Sequence, residues 1–122
     1  MQLKPAQALE LWRIATVAGV RREAPDLTAR QMAVMLTVYL TAPPHTVRGL
    51  AAGLQVTKPA ITRALDRLGE FGLAKRKIDE ADRRNILVQR TVKGSVYLRE
   101  LADTIAEAAR TLSPNDDAVK ND

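Results

Sequence analysis

Apolar residues recur at helical spacing in five stretches of the chain, and the breaks between them are written in proline, glycine and short polar runs. From residue 5 to 22, Ala8, Leu11, Trp12, Ala15 and Gly19 form one stripe, and Leu9, Ile14 and Val17 widen it. A helix this apolar has more than one packing partner, so a core helix and a helix shared with a second subunit both fit. Pro25 ends it. Thr28 and Gln31 stand at capping-box spacing and start a second helix, which runs to about Thr41 with Met32, Met35, Leu36, Tyr39 and Leu40 turned inward. The pair Pro43-Pro44 cannot continue it. Thr46 then caps a short helix, Val47 to Leu54, whose inner face is Leu50, Ala51 and Leu54. The next helix, from Thr57 to about Leu68, follows so soon that the two must cross steeply, as in a helix-turn-helix. After Leu73 the period changes. Residues 73–78 and 85–90 are short and β-compatible, and the run Asp79 to Arg84 between them is polar and turn-prone. A two-stranded hairpin directly after a helix-turn-helix is a wing. Thr91 caps a last helix to about Leu112, on which Leu98, Leu101, Ile105, Ala108 and Leu112 step by three and four, the spacing of a seam for another helix. Arg99, Glu100, Asp103, Glu107 and Arg110 lie opposite, in water. Residues 114–122 have little to bury and are expected to be disordered.

The predicted fold class is therefore mainly α with a small β-hairpin wing, a winged helix-turn-helix within a single domain over residues 1–113. Residues 27–90 form its core, and the helices within 1–24 and 91–112 flank it. The stretch that raises a functional question is Thr57 to Leu68. Turned at ~100° per residue, it places Ile61, Ala64, Leu65 and Leu68 on one side and Pro59, Thr62, Arg63, Asp66 and Glu70 on the other, with Arg67 at the flank. Thr57 is a fitting N-cap, and Pro59 is harmless in a first turn whose N–H groups have no helical partner. Small residues at that end let a backbone approach closely, the helix N-terminus favours phosphate oxygens, and an arginine fits the O6 and N7 edge of guanine with two parallel hydrogen bonds. Taken alone, a solvated helix face accounts for the same residues. The preceding turn and the following basic hairpin tilt the reading towards a DNA major groove.

The wing supports it. Arg83 and Arg84 follow three acids, Asp79, Glu80 and Asp82. Acids at a tip built only to seek polyanions would hinder it, so separate roles are expected. An acid, Asp82 by preference, braces the turn by bonding backbone donors or an arginine. One of the two arginines then extends towards a minor groove, whose negative potential attracts it.

Charge and composition narrow the alternatives. The formal net charge is +5 and the sequence pI about 10.0. Nine Lys/Arg stand against five Asp/Glu between residues 57 and 90, whereas residues 91–122 carry four against six. Residues 1–56 carry six against three, so the positive charge is kept from the C-terminal end, and the expected partner is a polyanion, either nucleic acid or an acidic membrane surface. Aromatics are 3% of the chain, so the core must be aliphatic. With no cysteine, disulfides and thiolate metal sites are excluded. His45 is the only histidine, sits beside two prolines, and reads as a loop residue rather than a base or ligand. No phosphate loop, metal cluster or nucleophile motif is present, so no enzyme, metal or cofactor is expected. No apolar run approaches the ~20 residues of a membrane span, which points to the cytoplasm. The rivals are a winged helix that binds protein or RNA, and an architectural DNA binder with little sequence preference.

The series "LTARQ…HTVRGLAAGLQVTKPAITRALDRLGEFGLAKRKIDEADRRNILVQRTVKG", residues 27–94, resembles the MarR family of bacterial winged-helix regulators. The pieces that carry the resemblance are Leu27-Thr28-x-Arg30-Gln31, the helix from Thr57 to Leu68, Gly72-Leu73 before the first strand, Asp79-x-x-Asp82-Arg83-Arg84 in the wing, and Thr91-x-Lys93-Gly94 after it. The resemblance implies a dimeric, double-stranded DNA-binding transcriptional regulator, a repressor by preference, acting on a palindromic operator at the bacterial nucleoid. Carried over by position, Thr57, Lys58, Pro59, Thr62, Arg63 and Arg67 belong to the major-groove helix. Arg83 or Arg84 is the wing arginine, with Asp79 or Asp82 in support. The family's dimer is built from the two ends of the chain, here Leu11 and Trp12 with Leu98, Leu101, Ile105 and Leu112. Many relatives also bind a small aromatic effector between the DNA and dimer regions. Two departures stand out. There is room for one helix of useful length after the wing where relatives usually have two, and Arg90 occupies a position that is commonly apolar.

Overall fold

The computed structural model describes residues 2–112 of the chain. The expectation of disorder for 114–122 lies outside them. The order of elements is α1 (Pro5–Arg21), α2 (Ala29–Leu40), β1 (His45–Thr46), α3 (Val47–Leu54), α4 (Lys58–Glu70), β2 (Ala74–Ile78), β3 (Ile86–Arg90) and α5 (Val92–Thr111). Among the described residues they gather into two compact units, one spanning Leu27–Tyr97 and the other holding residues 2–26 together with 98–112.

In the Leu27–Tyr97 unit the core is aliphatic, as the shortage of aromatics requires. Val34, Met35, Val38, Ile61, Leu65, Leu68 and Leu73 are its fully buried side chains. α2 begins where its capping box does: the Thr28 hydroxyl accepts from Gln31 N–H at 3.2 Å and the Gln31 side chain accepts from Thr28 N–H at 2.9 Å. Its buried stripe differs from the expected one. Val34 and Val38 are buried with Met35, Met32, Leu36 and Tyr39 are half-buried, and Leu40 is 75% exposed. The reason is that α2 packs on α4, α3 and β3 together, which turns the 34–38 side inward, while Leu40 is the last residue of the helix and projects past that cover.

Thr46 caps α3 by accepting from Gly49 N–H at 2.9 Å. The turn to α4 closes with Gln55 in the left-handed region (φ 56°) and Val56 N–H donating to Ala51 O at 3.0 Å. A left-handed residue is the usual way to end a helix and redirect the chain, although glycine rather than glutamine commonly fills it. Ala51, buried at the crossing, keeps α3 and α4 close. At the far end of α4 the Gly72 N–H donates to Gly69 O at 3.0 Å and the Leu73 N–H to Leu68 O at 2.9 Å, with Gly72 at φ +72°. That pair of bonds satisfies the last helical carbonyls and turns the chain into β2.

The expected two-stranded hairpin is present, and a third strand extends it. β2 and β3 pair antiparallel from Ala74↔Arg90 to Ile78↔Ile86, and β1 adds a third strand through His45↔Val88 and Thr46↔Leu87, giving the order β1-β3-β2. His45 is thus a strand residue rather than a loop residue, and its Nε2 lies 3.1 Å from Thr41 O. Arg90, the departure noted above, is at the base of β3. Its Nε donates to Val38 O at 2.9 Å and its Nη2 to Thr41 O at 3.0 Å. A cation on the free carbonyls at a helix C-terminus is favoured by both hydrogen bonding and the helix dipole, so the position holds the end of α2 rather than an apolar core.

In the other unit, α1 starts on Pro5 and buries Ala15, and its end meets α5 through Arg22 Nη2 and Glu100 Oε2, 2.9 Å apart. Along α5, Ala108 is buried, Leu98, Leu101, Ile105 and Leu112 are half-buried, and Arg99, Glu100, Asp103, Glu107 and Arg110 are exposed, as the three-four spacing predicts.

Candidate nucleic-acid interface

α4 is amphipathic in the sense read from the sequence. Ala60, Ile61, Ala64, Leu65 and Leu68 are buried, Lys58, Pro59, Arg63, Asp66, Arg67 and Glu70 are exposed, and Thr62 is half-buried. Thr57 is the N-cap, its Oγ1 accepting from Ala60 N–H at 3.2 Å. That bond uses the oxygen as acceptor and leaves the hydroxyl proton to donate elsewhere.

The outward charges divide into two sets. Asp66 accepts from Arg76 Nη2 at 2.7 Å, which ties α4 to β2. Arg67 Nη1 donates to Glu70 Oε2 at 2.7 Å, and its guanidinium lies 4.4 Å from the Phe71 ring centroid. These contacts hold Arg67 flat along the helix end. Lys58 and Arg63 make no ion pair among the described residues. Of the predicted reading residues, Lys58, Pro59, Thr62 and Arg63 are therefore the ones left to face a partner, while Thr57 and Arg67 are partly engaged within the protein.

The wing turn is self-braced. Asp79 N–H donates to Asn85 O at 3.1 Å, Asp82 N–H to Asp79 O at 3.2 Å and Asn85 N–H to Asp82 O at 2.9 Å. Asp79 Oδ1 accepts from Ala81 N–H at 3.0 Å. Asp82 takes three bonds from one residue: Oδ1 accepts from Arg84 N–H at 3.2 Å and Arg84 Nε at 3.1 Å, and Oδ2 accepts from Arg84 Nη2 at 3.3 Å. The Arg84 side chain first, then its backbone N–H, and last the charge of Arg48, outweigh a small desolvation and hold the Asp82 carboxyl below its ordinary pKa. Arg84 remains 85% exposed at its side chain while so held. Arg83 pairs instead with Glu80, Nη1 to Oε2 at 3.3 Å. The two supports thus have different targets: Asp79 braces backbone, and Asp82 braces backbone and arginine together.

Sequence reasoning missed two arginines. Arg48 is exposed in the first turn of α3 and lies close enough for its charge to act on Asp82. Its signal was present, a cation two residues beyond the Thr46 cap and outside the Leu50/Ala51 face. Arg76 carries the α4–β2 tie, and nothing in the basic run Lys75-Arg76-Lys77 singles out the middle residue or points to a partner ten positions back. Among the described residues no group of three or more His, Cys, Asp or Glu stands ready to hold a metal ion.

A steep two-helix turn, an outward cationic face on its second helix and a braced arginine hairpin over a three-stranded sheet coincide with the MarR family model, which matches residues 27–86. The chain belongs to the MarR family of winged helix-turn-helix transcriptional regulators. MarR-type solved structures share the fold over most of the chain. The MepR–DNA complex of S. aureus is 20% identical, covers 86% of this chain and 81% of its own, and has a TM-score of 0.69. A MarR-family transcriptional regulator from a Rhodococcus species is 25% identical over 83% of this chain and 68% of its own, TM-score 0.62. The transcriptional repressor CouR, bound to a 23-mer DNA duplex, is 26% identical over 84% and 70%, TM-score 0.66. A search of curated protein sequences returns no match. No helix among the described residues is long and apolar enough to cross a membrane.

Proposed function

We propose that this MarR-family regulator binds operator DNA as a homodimer in the cytoplasm, with α4 in the major groove and the wing in the minor groove, and represses by occupying the promoter. The observation that carries the reading is the division of charge on α4. Asp66 is tied to Arg76 and Arg67 is partly engaged by Glu70 and Phe71, whereas Lys58 and Arg63, beside Thr62 on the outward side, make no ion pair among the described residues. Two parallel hydrogen bonds from Arg63 to a guanine edge supply base preference. Arg84, preorganised by Asp82, supplies a cation to the minor groove, where contact depends on width and potential more than on sequence. Arg83, Lys58 and the flank of Arg67 serve phosphates, with Thr57 and Pro59 allowing close approach of the helix start. MepR and CouR, which share the fold, are both known in complex with DNA.

The dimer proposed here uses Leu11 and Trp12 of α1 with Leu98, Leu101, Ile105 and Leu112. Trp12 is 69% exposed and Leu9 and Val20 also face out from α1, a large apolar surface for a helix that would otherwise meet water. Selection of bound duplexes from a random pool tests the whole reading. A two-fold symmetric consensus supports it, and recovery of no enriched sequence refutes it.

A further inference from the structure

Where α4 ends, β3 ends and α5 begins, two hydroxyls each donate one hydrogen bond and accept another. Tyr39 Oη, from α2, donates to Leu73 O at 2.6 Å and accepts from Thr91 N–H at 2.9 Å. Thr91 Oγ1 donates to Gly72 O at 2.7 Å and accepts from Gly94 N–H at 2.9 Å. Each hydroxyl therefore uses its proton and a lone pair, and the four bonds join three chain segments. Gly72 and Leu73 are the exit from α4, Thr91 is the first residue after the wing, and Gly94 lies in the first turn of α5. The approach is so close that a Cβ on Gly94 would fall 1.8 Å from Tyr39 Oη and 2.5 Å from Leu73 O. Glycine is needed here for room, since nothing flexible could give way. Tyr39 is half-buried and Gly94 buried, so water cannot readily replace these bonds.

We infer that Tyr39 and Thr91 are positioning residues for DNA binding: their hydroxyls lock the exit of α4 to the root of the wing, so that helix and wing reach adjacent grooves together. The inference rests on the DNA-binding reading above. Neither side chain touches DNA in it. A two-pronged reader loses affinity when its prongs are free to move independently, because each contact must then be made at a separate entropic cost.

The test uses the full chain, a duplex recovered by selection with the wild-type protein, and a scrambled duplex of the same length. Tyr39→Phe keeps the ring and removes only the hydroxyl. Affinity for the selected duplex is expected to fall about ten-fold, with a shallower dependence on salt because wing phosphate contacts are lost, and exchange of the Thr91 amide proton is expected to quicken without DNA present. Thr91→Val should reproduce the binding defect, and Thr91→Ser, which keeps the hydroxyl, should bind as wild type. Should Tyr39→Phe fail to fold, the Thr91 pair decides. A variant that melts earlier but binds with unchanged affinity and salt slope, in Tyr39→Phe or Thr91→Val, would show a merely structural role and overturn the inference while leaving the DNA-binding reading standing. Absence of any wild-type complex would overturn both.

Discussion

At the scale of single residues, the site works by leaving some arginines unpaired and bracing others. Arg63 makes no ion pair among the described residues, so in the proposed reading its removal costs the fold little and removes its contact with DNA. Arg63→Ala is expected to reduce discrimination between the selected and a singly mismatched duplex by about 1–3 kcal/mol, measured by competition binding. Unchanged discrimination would take Arg63 out of the reading set. Arg84 has a different role, and Arg84→Ala should weaken binding to all duplexes alike, with a shallower salt slope. Its brace also has a pH signature. The Asp82 carboxyl is held below its ordinary pKa, chiefly by Arg84, so its contribution is present above the ordinary value and is lost as pH falls through the lowered one. Amide exchange in the 79–85 turn should therefore be set by the same brace from neutral pH down to about pH 5, with protection lost only in stronger acid. Loss of protection between neutral pH and that point would contradict the assignment.

At the scale of elements, caps and periodicity do most of the positioning. Thr57→Ala removes the acceptor for Ala60 N–H and should cost about 1 kcal/mol of stability, read from denaturant melts. The caps at Thr28, Thr46, Thr57 and Thr91, and the inward face of α4, were legible because they depend on neighbours three or four residues away. What was not legible depends on distant partners. β1 is only two residues long and exists because it pairs with β3, so no alternation could announce it. The buried stripe of α2 is set by three elements packed around it, which is why Leu40 was assigned inward and lies outside. Arg90 was visible as an oddity, but its reason, the carbonyls of Val38 and Thr41 roughly fifty residues earlier, was not. Within the candidate interface, the engagement of Arg67 with Glu70 and Phe71 could have been anticipated from its three- and four-residue spacing. The Arg48 charge beside the wing required the fold.

At the scale of the whole molecule, the proposed function calls for two copies. Leu101→Asp places a charge on the half-buried seam of α5 and should convert a dimer to a monomer by sedimentation, with helix content retained by circular dichroism. A persistent dimer would move the interface elsewhere. The central claim, however, is that α4 and the wing together grip a duplex. Titrating the full chain with the selected duplex at a series of salt concentrations tests it most directly. The account predicts a complex whose log affinity falls linearly with log salt, with a slope near −0.9 for each phosphate neutralised. No complex at low salt, or an affinity that salt does not change, would contradict it.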